Sequence, residues 1–302
     1  MVRCLIGHRF KPAMIILTAL TAFLSVPTFA FADDDAVLLR YKLDAGTKLH
    51  YRVKHVAKTQ TEINGKEEIS NSTTISRRHW DVRDRQGDQM TFDHVLDGVT
   101  MNQSIGDADP TQWTSDSDED VPDAFAAIAD KIGSVLSTIT INDRGQEVTR
   151  QSETKDQPKT DLGMGSLALP LPPEPIAIGE SWSVPRQIRV REGEEQKIIK
   201  INERYTLDKV QTGIATIIVR SEPITPIRTQ AVRAQVVQQM SNGEIRFDVD
   251  NGHVVDKRLD WDENVVSFRG PNSSMNYRAQ LIETMVSDAE VQQAQRDRTS
   301  RK

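Results

Sequence analysis

The tightest constraint on this chain is a pair of alternating runs joined by Asn64-Gly65. Leu49, Tyr51, Val53 and Ala57 alternate with Lys48, His50, Arg52, Lys54 and Lys58. A side-chain period of two is that of a strand with one face buried. Asn-Gly provides the left-handed residues of a tight hairpin turn, so a return strand runs from about Lys66 to Val82. A two-residue turn pairs Leu49 with Trp80, His50 with His79 and Val53 with Ser76. Arg85-Gln86-Gly87 reads as a second, three-residue loop, which pairs Trp80 with Phe92 and Val82 with Met90 on a third strand, Met90 to Asn102. One face then collects Leu49, Tyr51, Val53, Trp80, Val82, Met90, Phe92 and Leu96, along with His55, Arg78 and His94. Strands of this length exceed the ordinary range and predict a large, strongly curved sheet. Imidazole and guanidinium groups are costly in a dry core, whereas a wide, partly wet concave face accommodates them.

The second constraint is Leu167 to Pro185, which holds five of the chain's 13 prolines. Each proline fixes its backbone and lacks an N–H, so neither a central strand nor a helix runs through here. The stretch is also apolar, which predicts an extended strap packed on the fold and hinging two halves, with Gly179 turning the chain so that Trp182 starts the next strand. Strands then follow near 182–191, 196–209, 214–220, 227–240, 244–249, 253–261, 265–269 and 274–286, punctuated by Gly, Asn-Gly and Gly-Pro. Between the halves, Asp120 and Pro122 open a helix over Val121 to Ser137, with Val121, Phe125, Ile128, Ile132, Val135 and Leu136 on one stripe. The fold class is therefore mainly β: an antiparallel, open half-barrel of about ten to twelve strands with one amphipathic helix.

The first 32 residues read as a leader. Arg3, Arg9 and Lys11 precede an apolar run, and Ala30-Phe31-Ala32 fits a cleavage site. An uncleaved anchor is the alternative. The expected organisation is a signal peptide over 1–32, one β-rich domain over 33–287, and a disordered polar tail over 288–302. The address is the periplasm or cell envelope. Cys4, the only cysteine, leaves with the leader, so disulfide and thiol chemistry are excluded. Cleavage moves the formal charge from −6 to −9, because the leader carries three basic residues and no acidic ones. That charge argues against nucleic acid and anionic membrane surfaces as partners. No second apolar run is long enough to span a bilayer.

Motifs for chemistry fail on context. Gly163-Met-Gly165 has no preceding strand and is followed by prolines rather than a helix. Gly179-Glu-Ser181 lacks the second glycine of a nucleophile elbow, so Ser181 reads as a turn residue. The acids from Asp107 to Asp120 lack calcium-loop spacing. His50 and His79 face each other on the outer face. A one-residue change in the second hairpin would add His94 to give a zinc-like row, but the apolar pattern puts His94 on the inner face. No catalytic residue, no metal ligand and no cofactor is expected.

Pro175-Ile-Ala-Ile-Gly179-Glu-Ser-Trp182, followed by Ile245-Arg-Phe-Asp248-Val-Asp-Asn-Gly252, resembles a family of uncharacterised exported bacterial β proteins. The resemblance implies a leader and β structure over most of the mature chain, and no functional residues. The strand-and-helix pattern also resembles the half-barrel of lipoprotein carriers, as an analogy of fold. The expected function is non-catalytic binding of an apolar or lipid-like ligand in the concave sheet. The helix would cover the sheet, setting Phe125, Ile128 and Ile132 over Tyr51, Trp80 and Phe92, with Arg78 and His94 orienting a head group. An envelope module that contacts protein partners is the alternative reading. A hydrolase or metal-binding protein is more remote.

Overall fold

Alternation along β1 (Lys48–Ile63) and β2 (Lys66–Gln86) produces the hairpin their sequence encodes, with Leu49 opposite Trp80, His50 opposite His79 and Val53 opposite Ser76. The chain is described here by a computed structural model covering residues 36–152 and 168–299. The expected leader, the polar loop 154–165 and Leu167 lie outside the described residues. The meander continues with β3 (Gln89–Ile105), a short β4 (Thr111–Thr114), β5 (Val135–Asn142) and β6 (Glu147–Ser152). The second half contributes β7 (Ser181–Glu192), β8 (Glu195–Gln211), β9 (Ile214–Pro223), β10 (Asn242–Asp248), β11 (His253–Val266) and β12 (Ser273–Val286). All belong to one 12-stranded sheet ordered β6-β5-β3-β2-β1-β12-β11-β10-β9-β8-β7, with β4 added to β3. Every strand pairing is antiparallel, and the sheet is curved and unclosed.

The two halves are fused in the middle of the sheet by β1 and β12, paired from His50–Val286 to Ile63–Ser273. The proline strap is therefore no hinge. From Ala168 it leads into edge strand β7, on the far side of the sheet from the other edge, β6.

One end of the sheet, the base, carries the β2–β3, β5–β6 and β10–β11 turns. The lead-in strand and the strap fill it. Tyr41 N donates to Asp143 O at 2.7 Å, and Lys42 N to Gly252 O at 3.2 Å, tying two distant turns together. Val37 bridges Ile176, and Arg40 reaches Pro172 O at 2.8 Å. Leu39, Tyr41, Leu43, Leu169, Leu171 and Ile176 join the inward residues of the strands in one core. Gly145 is required here. Its φ is +71°, and a Cβ would strike the Leu169 carbonyl and the Tyr41 ring.

Four segments differ from expectation. The helix over Val121 to Ser137 shrinks to a 3-10 turn, Asp123–Phe125, and one turn of α-helix, α1 (Ala126–Ala129). Gly133 takes φ +75° and donates to Leu96 O, and the chain from Val135 pairs with β3, so sheet pairing replaces the last turns. The segment read as a strand at 227–240 instead holds α2 (Gln230–Val237). Thr229 caps it, and Val232 and Val236 lie one turn apart against Ile188, Val190, Ile199 and Ile201. The tail read as disordered forms α3 (Asp288–Thr299), where Ser287 and Glu290 make reciprocal capping bonds. In place of the strands expected at 253–261 and 265–269 there is one strand, β11, which ends at Val266 before a turn.

Candidate functional site

The inner face was legible because its residues keep their phase even where the register differs. Trp80 pairs with His94, and Val82 with Phe92, two residues from the pairing read off the second hairpin. A slip of two leaves every side chain on its own face, whereas a slip of one would reverse them all. The turn is shorter than expected, and an irregularity between Val82 and Asp84 restores the phase.

Tyr51, Trp80 and Phe92 lie on the concave face, in the filled base rather than beneath α1. Trp80 stacks on Phe92 at 4.4 Å, and Tyr51 tilts against Trp80 at 5.8 Å. Tyr51 Oη donates to Val254 O at 3.0 Å. Phe125 is buried in a separate small cluster with Val99 and Trp113, and Ile128 and Ile132 pack on it half-exposed. The covering pairs expected between these two trios therefore do not form. The lead-in and strap occupy that space.

Arg78 and His94 are both inward and buried, at 4% and 5% exposure. Burial, with the Arg78 guanidinium adding to it, drives the His94 pKa down to about 3, so its imidazole is neutral. His94 Nε2 has no hydrogen-bond partner among the described residues. Arg78 Nε donates to Ser76 Oγ at 2.9 Å.

Of the eight expected residues, Arg78 and Ile128 come together. They line a cavity of about 50 Å³ with Val53, His55, Thr74 and Met101. That volume suits one or two waters rather than a lipid. The inward row of β1 changes character here. Leu49, Tyr51 and Val53 are buried, whereas His55, Ala57, Thr59, Thr61 and Ile63 are half-exposed. β2 repeats the change, with Ser76, Arg78 and Trp80 buried and Thr74, Ser72 and Ser70 half-exposed. At this open end, the mouth, α2 touches both β7 and β11, which lie four places apart in the sheet, so it crosses the concavity on that side. His55 sits edge-on to Trp261 at 6.3 Å, and Trp261 Nε1 donates to Met240 O at 2.5 Å. Burial lowers the His55 pKa.

The outer face holds a second concentration of polar groups. His50, His79 and Asp97 stand on three adjacent strands, with ligand-capable atoms all within 4.8 Å of one another. His79 Nδ1 lies 2.8 and 2.9 Å from the two Asp97 oxygens. Asp97 escaped sequence reasoning because the pairing of Trp80 with Phe92 places Asp93 opposite His79. In the fold, His79 faces Val95, and Asp97 is the extra residue of a bulge beside Arg77 and Arg78. Ser181, the rejected nucleophile, pairs its hydroxyl with Thr206 at 2.8 Å and opens β7.

No protein-family model matches the chain, and no curated protein matches it. Among solved structures, a lipovitellin chain described in terms of lipid–protein interactions is similar over 82% of this chain. The match spans 26% of the lipovitellin chain, at 7% identity and a TM-score of 0.43, so it carries no argument about fold or function. No helix among the described residues is long and apolar enough to cross a membrane.

Proposed function

We propose that this chain is a non-catalytic, exported binding protein whose ligand is an apolar or lipid-like small molecule held at the mouth of the concave sheet. The observation that carries this reading is the half-exposed inward row of β1 and β2. The base is filled by the lead-in and strap, but among the described residues nothing comparable covers this row. A sheet that needed only a core would bury its whole concave face. The row pairs small and hydroxylated residues on β2 with His55 and Ala57 on β1. Arg78 and Ser76 lie at its inner limit, where they would meet the polar end of a ligand. Ile128 rests over this limit on a short, single-turn helix, which is cheap to displace. The expected head-group pair thus reduces to Arg78, with His94 enclosed in the core.

Changing Ile128 to Asp tests the reading. The variant should stay folded, because Ile128 is only partly buried, and should bind an environment-sensitive apolar dye more strongly than the parent chain. Lipid extraction of the protein from its native host, followed by mass spectrometry, should recover a stoichiometric apolar molecule. A folded variant with unchanged dye binding, together with an extract free of such a molecule, would refute the proposal.

A further inference from the structure

We propose that His50, His79 and Asp97 form a binding site for a divalent transition metal of the zinc class on the convex face of the sheet. The site is separate from the concave mouth and does not depend on the function proposed for it.

The strands themselves place the ligands. β1 and β2 set His50 directly opposite His79, with ring centroids 5.3 Å apart. The bulge in β3 brings Asp97 to the other side of His79. Two imidazoles and a carboxylate suit zinc, cobalt, nickel or copper, and do not suit magnesium or calcium, which take oxygen ligands. Ligand atoms around tetrahedral zinc sit about 3.3 Å apart, so a spread of 4.8 Å closes with a side-chain shift of about an ångström.

The surroundings favour a cation. His79 Nδ1 and the Asp97 carboxylate are held side by side at 2.8 Å, and a metal would take the place of the proton they share. His50 takes no part in that pairing, so an ion pair alone does not account for its place in the cluster. Lys48 and Arg77, which line the same pocket, are each paired with a carboxylate, Asp81 at 2.8 Å and Asp116 at 2.7 Å. The pocket is open, with a volume of about 730 Å³, and the first turn of α3 walls one side of it. Asp288 and Glu290 line this wall, and Glu290 is held by its capping bonds to Ser287. A water or a small anion from solvent would complete the coordination through the open side.

The test is calorimetric titration of the full chain, stripped with chelator, with zinc chloride. Cobalt(II) absorption then reports the ligand field. One equivalent should bind, with a visible cobalt spectrum displaced by zinc. His50→Ala, which leaves the His79–Asp97 pair intact, and Asp97→Asn, which preserves shape, should each weaken zinc binding at least about tenfold. Circular dichroism of both variants establishes that they remain folded. Absence of saturable binding, or binding that neither substitution changes in a folded variant, would overturn the proposal.

Discussion

Acid should destabilise this fold through one buried imidazole, by an amount the structure sets. His94 is 5% exposed, and its pKa in the folded chain is driven to about 3, against 6.5 for an ordinary histidine. The unfolded chain therefore binds a proton between these values and the folded chain does not. Stability is intact above pH 6.5, falls as the pH drops below it, and stops falling from this source near pH 3. Each pH unit in the window costs about 1.4 kcal/mol, so at pH 4.5 the loss is about 2.7 kcal/mol. His94→Phe removes the titrating group and keeps a ring of similar size. Urea unfolding of the parent and the variant at half-unit intervals from pH 7.5 to 4.5 measures the difference. The variant's absolute stability is immaterial, since repacking shifts it equally at every pH. His50 and His55, whose pKa values are also lowered, act in both proteins and cancel. The gap between the two curves should change by about 2.7 kcal/mol over the range. Parallel curves would show that folded His94 takes up a proton near its ordinary value, which would refute the dry surroundings inferred for it.

Two packing predictions follow from the same core. Gly145→Ala should destabilise the chain by about 2 kcal/mol, because the position combines a left-handed backbone with contact against Tyr41 and Leu169. A melting temperature equal to the parent's would show that the base adjusts freely. Phe125→Ala should cost about 3 kcal/mol, since the ring is 1% exposed between Val99 and Trp113. Chemical denaturation measures it, and a loss below about 1 kcal/mol would mean that this cluster is not part of the cooperative fold.

Local sequence was sufficient wherever a period or a turn governs the backbone. The two-residue period of β1 and β2, with Asn64-Gly65 between them, was enough to set the first hairpin residue for residue. It also assigned each histidine of the first three strands to its face, because facing depends only on parity. The mainly antiparallel, curved, open sheet followed from the number and spacing of such runs. Pairing between distant strands was a tertiary decision. The union of β1 with β12 joins residues more than two hundred positions apart, which no local pattern records. The helix at Val121 was shortened because β5 gained a full edge of hydrogen bonds on β3, which outweighs a favourable helical stripe. Val232 and Val236 show the reverse. Their helical spacing was legible, but β-branched residues alone favour a strand, and only the apolar face of β7 and β8 made the helix the better burial. Asp97 needed most from the tertiary fold. Its side was given by alternation, but its place beside His79 was set by a bulge that sequence alone does not mark.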